Sequence, residues 1–433
     1  MTIDIFYVCV KTSNKMSSVQ IIIIIAAFIH VVFESVLNFL NFKKLIRDKD
    51  FQPKKTKVLM DEDQWGKASN YAIAKTKLSL WQDFFSFVIF VPIILFLYPW
   101  VFNLWDTTTE SAIYQCAFIS VAFLLAIQSP TLLFDWIKQF RLEEHFGFNK
   151  SNTRLWITDK VKENILGLIL GTLIFALLIW LYRTLSSFSD YWWFFAFSAF
   201  FVFQLAMMVL WPKFILPLFN KLTPLEDGSL KDSLFSLANR TGFEAKTIEV
   251  IDGSKRSSHS NAFFTGFGKF RRIVLYDTLI SQMEERQVEA VLAHEIGHYK
   301  KGHIPKRLCF SFFSGLFGFY ALSLGMSQVW LYEGLALKVE NVGSLSTILI
   351  GAILILPNFT YWLSPISNIF SRKHEYEADR FARDAMNGGS DLIEALQKLY
   401  RENLSHPLPH KLLVFFHYSH PTFFERKEAL ESP

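Results

Sequence analysis

Seven stretches of this chain, near residues 19–40, 84–104, 112–134, 165–181, 192–215, 309–331 and 345–366, are long and apolar enough to cross a bilayer, which takes about 20 residues each. Inside hydrocarbon the backbone N–H and C=O groups find no water, so such stretches must fold as helices. The chain has 433 residues, of which 51% are hydrophobic and 46 are phenylalanine, more apolar bulk than a water-soluble core absorbs. The first stretch does not read as a cleavable signal, because no small-residue cleavage site follows it. His30, Glu34 and Asn38 also interrupt its second half. Residues 1–15 read as a polar lead-in, with Met16 as an alternative start.

The loops between the spans set the expected orientation. Residues 41–80 carry ten Lys and Arg, and residues 135–164 add Lys138, Arg141, Lys150, Arg154, Lys160 and Lys162. "WDTTTES" (105–111) carries none, and "YRTLSSFSDY" (182–191) carries only Arg183. Positive loops stay in the cytoplasm, which places the amino terminus outside and the carboxy terminus inside. Polar regions 219–305 and 371–433 then share the cytoplasmic side and can build one composite site. The net charge of +5 is small for this length and gives no case for nucleic acid. Three scattered cysteines (Cys9, Cys116, Cys309) argue against both a disulfide framework and a thiolate zinc site.

Region 219–305 reads as a small α+β unit. "LEDGSLKDSLFSLANRTGF" (225–243) has a helical pattern closed by Gly242. "TIEVID" (247–252) and "RRIVLYD" (271–277) alternate and are β-branched, as strands are. Between them lies a polar, glycine-punctuated region whose "NAFF" segment reads as an edge strand. Ser281 and Glu284 form a capping-box pattern that would open a helix running towards Pro305.

That helix carries "VLAHEIGHYKKGH" (291–303). Positions four apart lie about 40° apart around a helix, so His294 and His298 can reach one ion together. Glu295 lies about 100° from His294, close enough to take a proton from water on that ion. Two imidazoles with a neighbouring carboxylate are the working parts of a zinc protease site. His303 is a poor third ligand. The outer histidine spacing is nine rather than ten, glycine directly precedes it, and it faces the far side of the helix, where it suits a helix end. A better candidate lies in "SRKHEYEADRFARDA" (371–385), just after the last span. Glu375 and Asp379 are four apart there, so Glu375 can ligate while Asp379 accepts the outer N–H of a ligating histidine. Glu377 is expected to point elsewhere, into solvent.

At these residues the sequence resembles the integral-membrane type I CaaX prenyl proteases, a family of seven-span zinc proteases. "EEHFGFNK" (143–150), "LPLFNKLTPLEDG" (216–228), "IDGSKRSSHSNAFFTGFGKFRRIVLYDTL" (251–279), "HEIGHYKKGH" and "SRKHEYEAD" look like family signatures in the expected order. The resemblance implies an α-helical integral membrane protein whose seven helices form a chamber, capped by a small α+β protease domain. It divides the chain into 1–218 with five spans, 219–305 with the HExxH helix, 306–370 with two further spans, and 371–433 completing the site. It implies one zinc per chain on His294, His298 and Glu375, with Glu295 as general base. His420, in "SHPTFFERKEAL", would stabilise the oxyanion, and Arg426 would order that region. Asn261, Ala262 and Phe263 would pair with extended substrate, which reads backbone more than side chains. The expected partners are a peptide or protein substrate, prenylated or not, and the lipid bilayer, with a monomeric chain. The expected setting is a bacterial inner membrane or the endoplasmic reticulum, with the site facing the cytoplasm. A quality-control protease indifferent to prenyl groups shares the same site. A non-catalytic zinc protein would need a fourth protein ligand, and neither His303 nor His374 is well placed for it.

Overall fold

A computed structural model describes residues 16–105, 112–243, 247–265 and 272–432. The polar lead-in, most of the "WDTTTES" loop and the glycine-rich stretch 266–271 lie outside them. Among the described residues, seven helices are long and apolar enough to cross a membrane: α1 (Ser18–Lys49), α2 (Glu62–Leu104), α3 (Ile113–Glu143), α4 (Thr153–Leu185), α5 (Trp192–Phe219), α9 (His303–Gly325) and α10 (Leu345–Ala385). All seven expected spans are present, and the fourth runs well past its apolar centre at both ends. Capping boxes open the first two, Ser17 with Gln20 and Asp61 with Gln64. Three spans contain a turn of π-helix, at Ile93–Leu97 after Pro92, at Lys138–Glu143, and at Trp211–Ile215 around Pro212. Such turns bend a helix and re-aim its side chains.

Polar groups inside the spans tie helices together. Tyr361 Oη donates to Glu34 Oε2 at 2.6 Å, and Asn38 donates to both Glu34 (3.3 Å) and Asp83 (3.1 Å). His30 Nδ1 lies 3.2 Å from Asn358 Oδ1. Hydrogen bonds of this kind link α1 to α2 and α10 where lipid offers no alternative partner.

The water-facing part is built around β1 (Leu222–Pro224), α6 (Ser229–Arg240), β2 (Ile248–Ile251), β3 (Ala262–Thr265), β4 (Arg272–Tyr276), α7 (Asp277–Gln282) and α8 (Glu285–Lys300). It is completed by the water-side end of α10 with α11 (Ser390–Glu402), α12 (Lys411–His417) and α13 (Phe423–Glu431). The sheet order is β1-β2-β4-β3, with β2 and β4 parallel and the other pairs antiparallel. Thus β3 sits at an edge, as its sequence suggested. The short β1 escaped notice because three residues carry no alternating pattern. Two boundaries also differ from expectation. Glu284, not Ser281, caps α8, and Gln287 reaches back to it. Ser281 instead belongs to α7. The helix also stops at Lys300, because Gly302 adopts a left-handed conformation (φ +65°) and a new helix begins at His303.

One core joins segments far apart in sequence. Leu59, Met60 and Trp65 from the first water-facing loop pack with Leu234 and Leu237 of α6, Ile273 and Leu275 of β4, and Leu292 and Ile296 of α8. Ala382, Leu392, Leu396, Phe423 and Leu430 from the carboxy-terminal part complete it. Trp65 also donates its indole N–H to the carbonyl of Lys49 (3.1 Å), anchoring this core to the end of α1.

Where α8 crosses α10 the backbones touch. A Cβ on Gly297 would stand 2.9 Å from both Cα and the carbonyl oxygen of Ala378, and 3.1 Å from Cβ of Phe381. Rigid backbone cannot yield as a flexible side chain would, so Gly297→Ala must push the helices apart. Overpacking of this kind costs about 1–3 kcal/mol. The variant is expected to unfold at lower temperature in detergent and to bind metal more weakly, checked by thermal unfolding and by metal content per chain.

Candidate metal centre

The crossing of α8 and α10 brings two histidines and two carboxylates into one buried cluster. His294 and His298 project from α8 with their Nε2 atoms 3.1 Å apart. Glu375 of α10 meets both, Oε2 lying 3.4 Å from His294 Nε2 and Oε1 3.3 Å from His298 Nε2. Ligand atoms of these three residues all fall within 4.8 Å of one another. Glu375 is only 2% exposed, yet its Oε2 has no hydrogen-bond donor. A buried carboxylate oxygen without a donor is costly unless a cation satisfies it. Two imidazole nitrogens turned towards each other are explained by a shared ion in the same way.

The outer faces of the ligands are held in turn. His294 Nδ1 lies 2.8 Å from Asp379 Oδ1, one turn beyond Glu375 on α10. Arg426 of α13 grips Asp379 through both oxygens, Nη2 to Oδ1 at 2.5 Å and Nε to Oδ2 at 2.8 Å. A bidentate guanidinium of this kind fixes carboxylate orientation as well as charge. Burial disfavours a charged His294, but the adjoining carboxylates of Asp379 and Glu375 raise its pKa to about 9. That is the signature of a strongly anionic pocket, one a divalent cation suits.

His298 is steadied by His303 and, through it, by Glu377. Its Nδ1 lies 2.8 Å from His303 Nδ1, and His303 Nε2 lies 3.0 Å from Glu377 Oε2. His303 is buried at the start of α9, stacked on the His374 ring at 4.0 Å. It opens α9 rather than ending α8, and Glu377 is its partner rather than a solvated acid. The readable signal was Gly302: a left-handed glycine breaks the helix and turns the next residue back onto it.

The other expected site residues surround the cluster. Glu295 is half-buried beside it; burial pushes its carboxyl up, opposed by the two neighbouring histidines. His420 is exposed, with Nε2 3.3 Å from Glu375 Oε1 and Nδ1 2.9 Å from Ser419 Oγ. Strand β3, last in the sheet order and paired among the described residues with β4 alone, lies against α8. Asn261 stands just before that strand, its carbonyl accepting from Tyr276 N–H at 3.1 Å and its side chain accepting from Ala262 N–H at 2.9 Å.

Comparison with known proteins fits this arrangement. Residues 41–221 match a family described as CAAX prenyl protease N-terminal, five membrane helices, and residues 224–433 match Peptidase family M48. The CAAX prenyl protease 1 of Saccharomyces cerevisiae is 36% identical over 92% of each chain. The chain belongs to the CaaX prenyl protease family. A Dictyostelium discoideum homologue is 33% identical over 91% of this chain and 93% of its own length. The crystal structure of S. mikatae Ste24p superposes with a TM-score of 0.86 at 33% identity, covering 97% of this chain and all of that one. This is therefore a multi-pass membrane metalloprotease of the M48 family, with a His-His-Glu metal-binding triad.

Asp379 and His303 each hold a different ligand in place, and partners of this kind are worth about 10–100-fold in metal affinity. Asp379→Ala and His303→Ala are each expected to lose metal to a chelator at concentrations about 10–100-fold lower than the parent. Competition titration followed by metal analysis measures this directly.

Proposed function

We propose that this chain hydrolyses a peptide bond near the carboxy terminus of prenylated CaaX-type substrates, with zinc held by His294, His298 and Glu375. The donor set of two imidazoles and one carboxylate suits zinc, and catalytic zinc sites keep three protein ligands with one position open. When bound, the ion supplies Lewis-acid activation of water and of the scissile carbonyl. The protein's own groups do the rest. Substrate extends along the free edge of β3, its backbone aligned by Asn261, Ala262 and Phe263. Glu295 takes the proton from the attacking water and returns it to the departing amine. Its partial burial favours this role, because desolvation makes the carboxylate a stronger base. His420 stands where an exposed imidazole can donate to the negative charge developing on the carbonyl oxygen. Asp379 and Arg426 position His294.

The observation that carries this reading is the juxtaposition of an open strand edge with the His-His-Glu cluster, in a chain whose relatives are named for CaaX processing. The eukaryotic origin of those relatives favours the endoplasmic reticulum over a bacterial membrane, and the basic loops favour a cytoplasmic active site.

The test uses purified protein in detergent with matched CaaX-type peptides, farnesylated and bare. The farnesylated peptide is expected to be cleaved in preference. Glu295→Gln is expected to keep its metal while turnover falls by about 10²–10⁴-fold. Full activity in that variant would falsify the assignment of the base. Equal cleavage of both peptides would instead move the function to general membrane-protein proteolysis.

A further inference from the structure

His420 projects from the short link between α12 and α13, and its ring is exposed. An imidazole that must meet the charge developing on a carbonyl oxygen is useful only if its place is fixed, since a misplacement of about 1 Å can cost 10²-fold in rate. Its ring nitrogens reach Ser419, its neighbour in the chain, and Glu375, one of the metal-binding triad. Neither contact anchors it to a separate element on its own, so the backbone of the link must set its position. Downstream the link is pinned where Phe423 N–H donates to Tyr400 Oη at 3.0 Å and where Arg426 grips Asp379. Upstream, the way α12 ends decides.

A helix leaves its last four carbonyls without partners of its own. At the end of α12, side chains of α10 supply the donors. The Phe416 carbonyl accepts from Asn368 Nδ2 at 2.5 Å and from Ser364 Oγ at 3.3 Å. Arg372 Nη1 donates to the Val414 carbonyl at 3.4 Å and to the Tyr418 carbonyl at 2.7 Å, the latter two residues before His420. Both hydrogen bonds that Arg372 makes among the described residues thus go to the main chain, and a charged donor makes them stronger than neutral ones. Ser364, Asn368, Arg372, Glu375 and Asp379 follow one another at steps of four, four, three and four, so they share one face of α10. The residue that holds the link therefore stands within one helical turn, about 4.5 Å of rise, of the carboxylate that His420 meets. The body of α12 has a separate hold. His417 Nε2 lies 3.0 Å from Glu34 Oε2, and the Phe416 ring stacks on Tyr361 at 5.9 Å. A change at Arg372 alone then loosens the link while the helix stays docked.

We propose that Arg372 is a positioning residue for the oxyanion step: through the Tyr418 carbonyl it sets where the His420 imidazole stands relative to the metal centre. The assignment rests on the proteolytic reading above, in which His420 donates to the oxyanion, and adds to it the residue that aims that donor. Because Arg372 acts through backbone, its loss falls on turnover and not on substrate affinity or metal retention.

The experiment is a double-mutant cycle on the full-length protein in detergent, with a farnesylated CaaX-type peptide as substrate and metal content measured for every variant. Arg372→Met keeps the apolar stem and removes the donors. Its kcat is expected to fall about 10–100-fold, with KM within about twofold of the parent and metal content unchanged. His420→Ala is expected to lose about 10²–10³-fold in kcat. In the His420→Ala background, Arg372→Met is expected to cost nothing further, because the group it aims is gone. Arg372→Lys keeps the charge but not the fork that spans two carbonyls; it is expected to lose about threefold, a loss that also vanishes without His420. This milder variant keeps the cycle decisive if Arg372→Met does not fold. The same loss with and without His420 in either variant would make Arg372 a general structural residue and overturn the proposal. Full kcat in Arg372→Lys, or metal lost in step with activity, would overturn it too. Full activity in His420→Ala would overturn the oxyanion role of that histidine, and the proposal with it, while leaving the protease reading intact. Absence of cleavage by the parent would overturn the protease reading itself.

Discussion

The contact of Gly297 with Ala378 is the constraint on which the metal centre depends. His294 and His298 are separated from Glu375 by some eighty residues and two membrane spans. Only a crossing tight enough to bring backbone against backbone lets the side chains of both helices meet at one point, with donor atoms within 4.8 Å. A side chain at position 297 would fill the space that the approach requires. The site therefore follows from packing first, and from ligand chemistry second.

Around that crossing, charge is arranged so that few buried ions lack a partner. Glu375, Asp379 and His294 are nearly inaccessible to water, and taking such groups from water costs several kcal/mol each unless they are paired. Arg426 offsets one carboxylate, Asp379 fixes one imidazole, and the chain His298–His303–Glu377 fixes the other. What is left over is negative, concentrated at the donor-free oxygen of Glu375. A cation at the cluster completes this arrangement.

Much of this was legible in the sequence because it rests on local periodicity. The i, i+4 spacing of His294 with His298, and of Glu375 with Asp379, needs only helical geometry to be read. The spans are legible from apolar length, and the edge position of "NAFF" from its polar, glycine-rich flanks. What escaped depends on contacts between distant segments or on breaks in regular geometry. A helix pattern does not announce that it stops at Lys300 and restarts at His303, so the pattern alone places His303 on α8 and hides its contact with His298. Glu377 went with it, since an acid on an amphipathic helix reads as solvated until its partner is located. The π-turn at Lys138–Glu143 is invisible to a 3.6-residue period, yet it decides which way those two side chains face.

Those π-turns also bear on how a membrane protein can combine a water-dependent reaction with a lipid surface. A regular helix crossing the bilayer divides its residues between lipid and neighbours by angle alone. Inserting one residue into a turn rotates everything beyond it by roughly 100°. At the water-side end of α3 this rotation takes Glu143 inward, where Tyr71 and His259 bond its two oxygens and Asn403 holds His259 in turn. The strand lead before β3 is thereby fixed to a span: His259 bonds Glu143, and Asn149 bridges to Ser257. The edge strand β3 is thereby held in register with the membrane spans by contacts made outside the sheet itself, so that strand, metal cluster and span form one continuous framework.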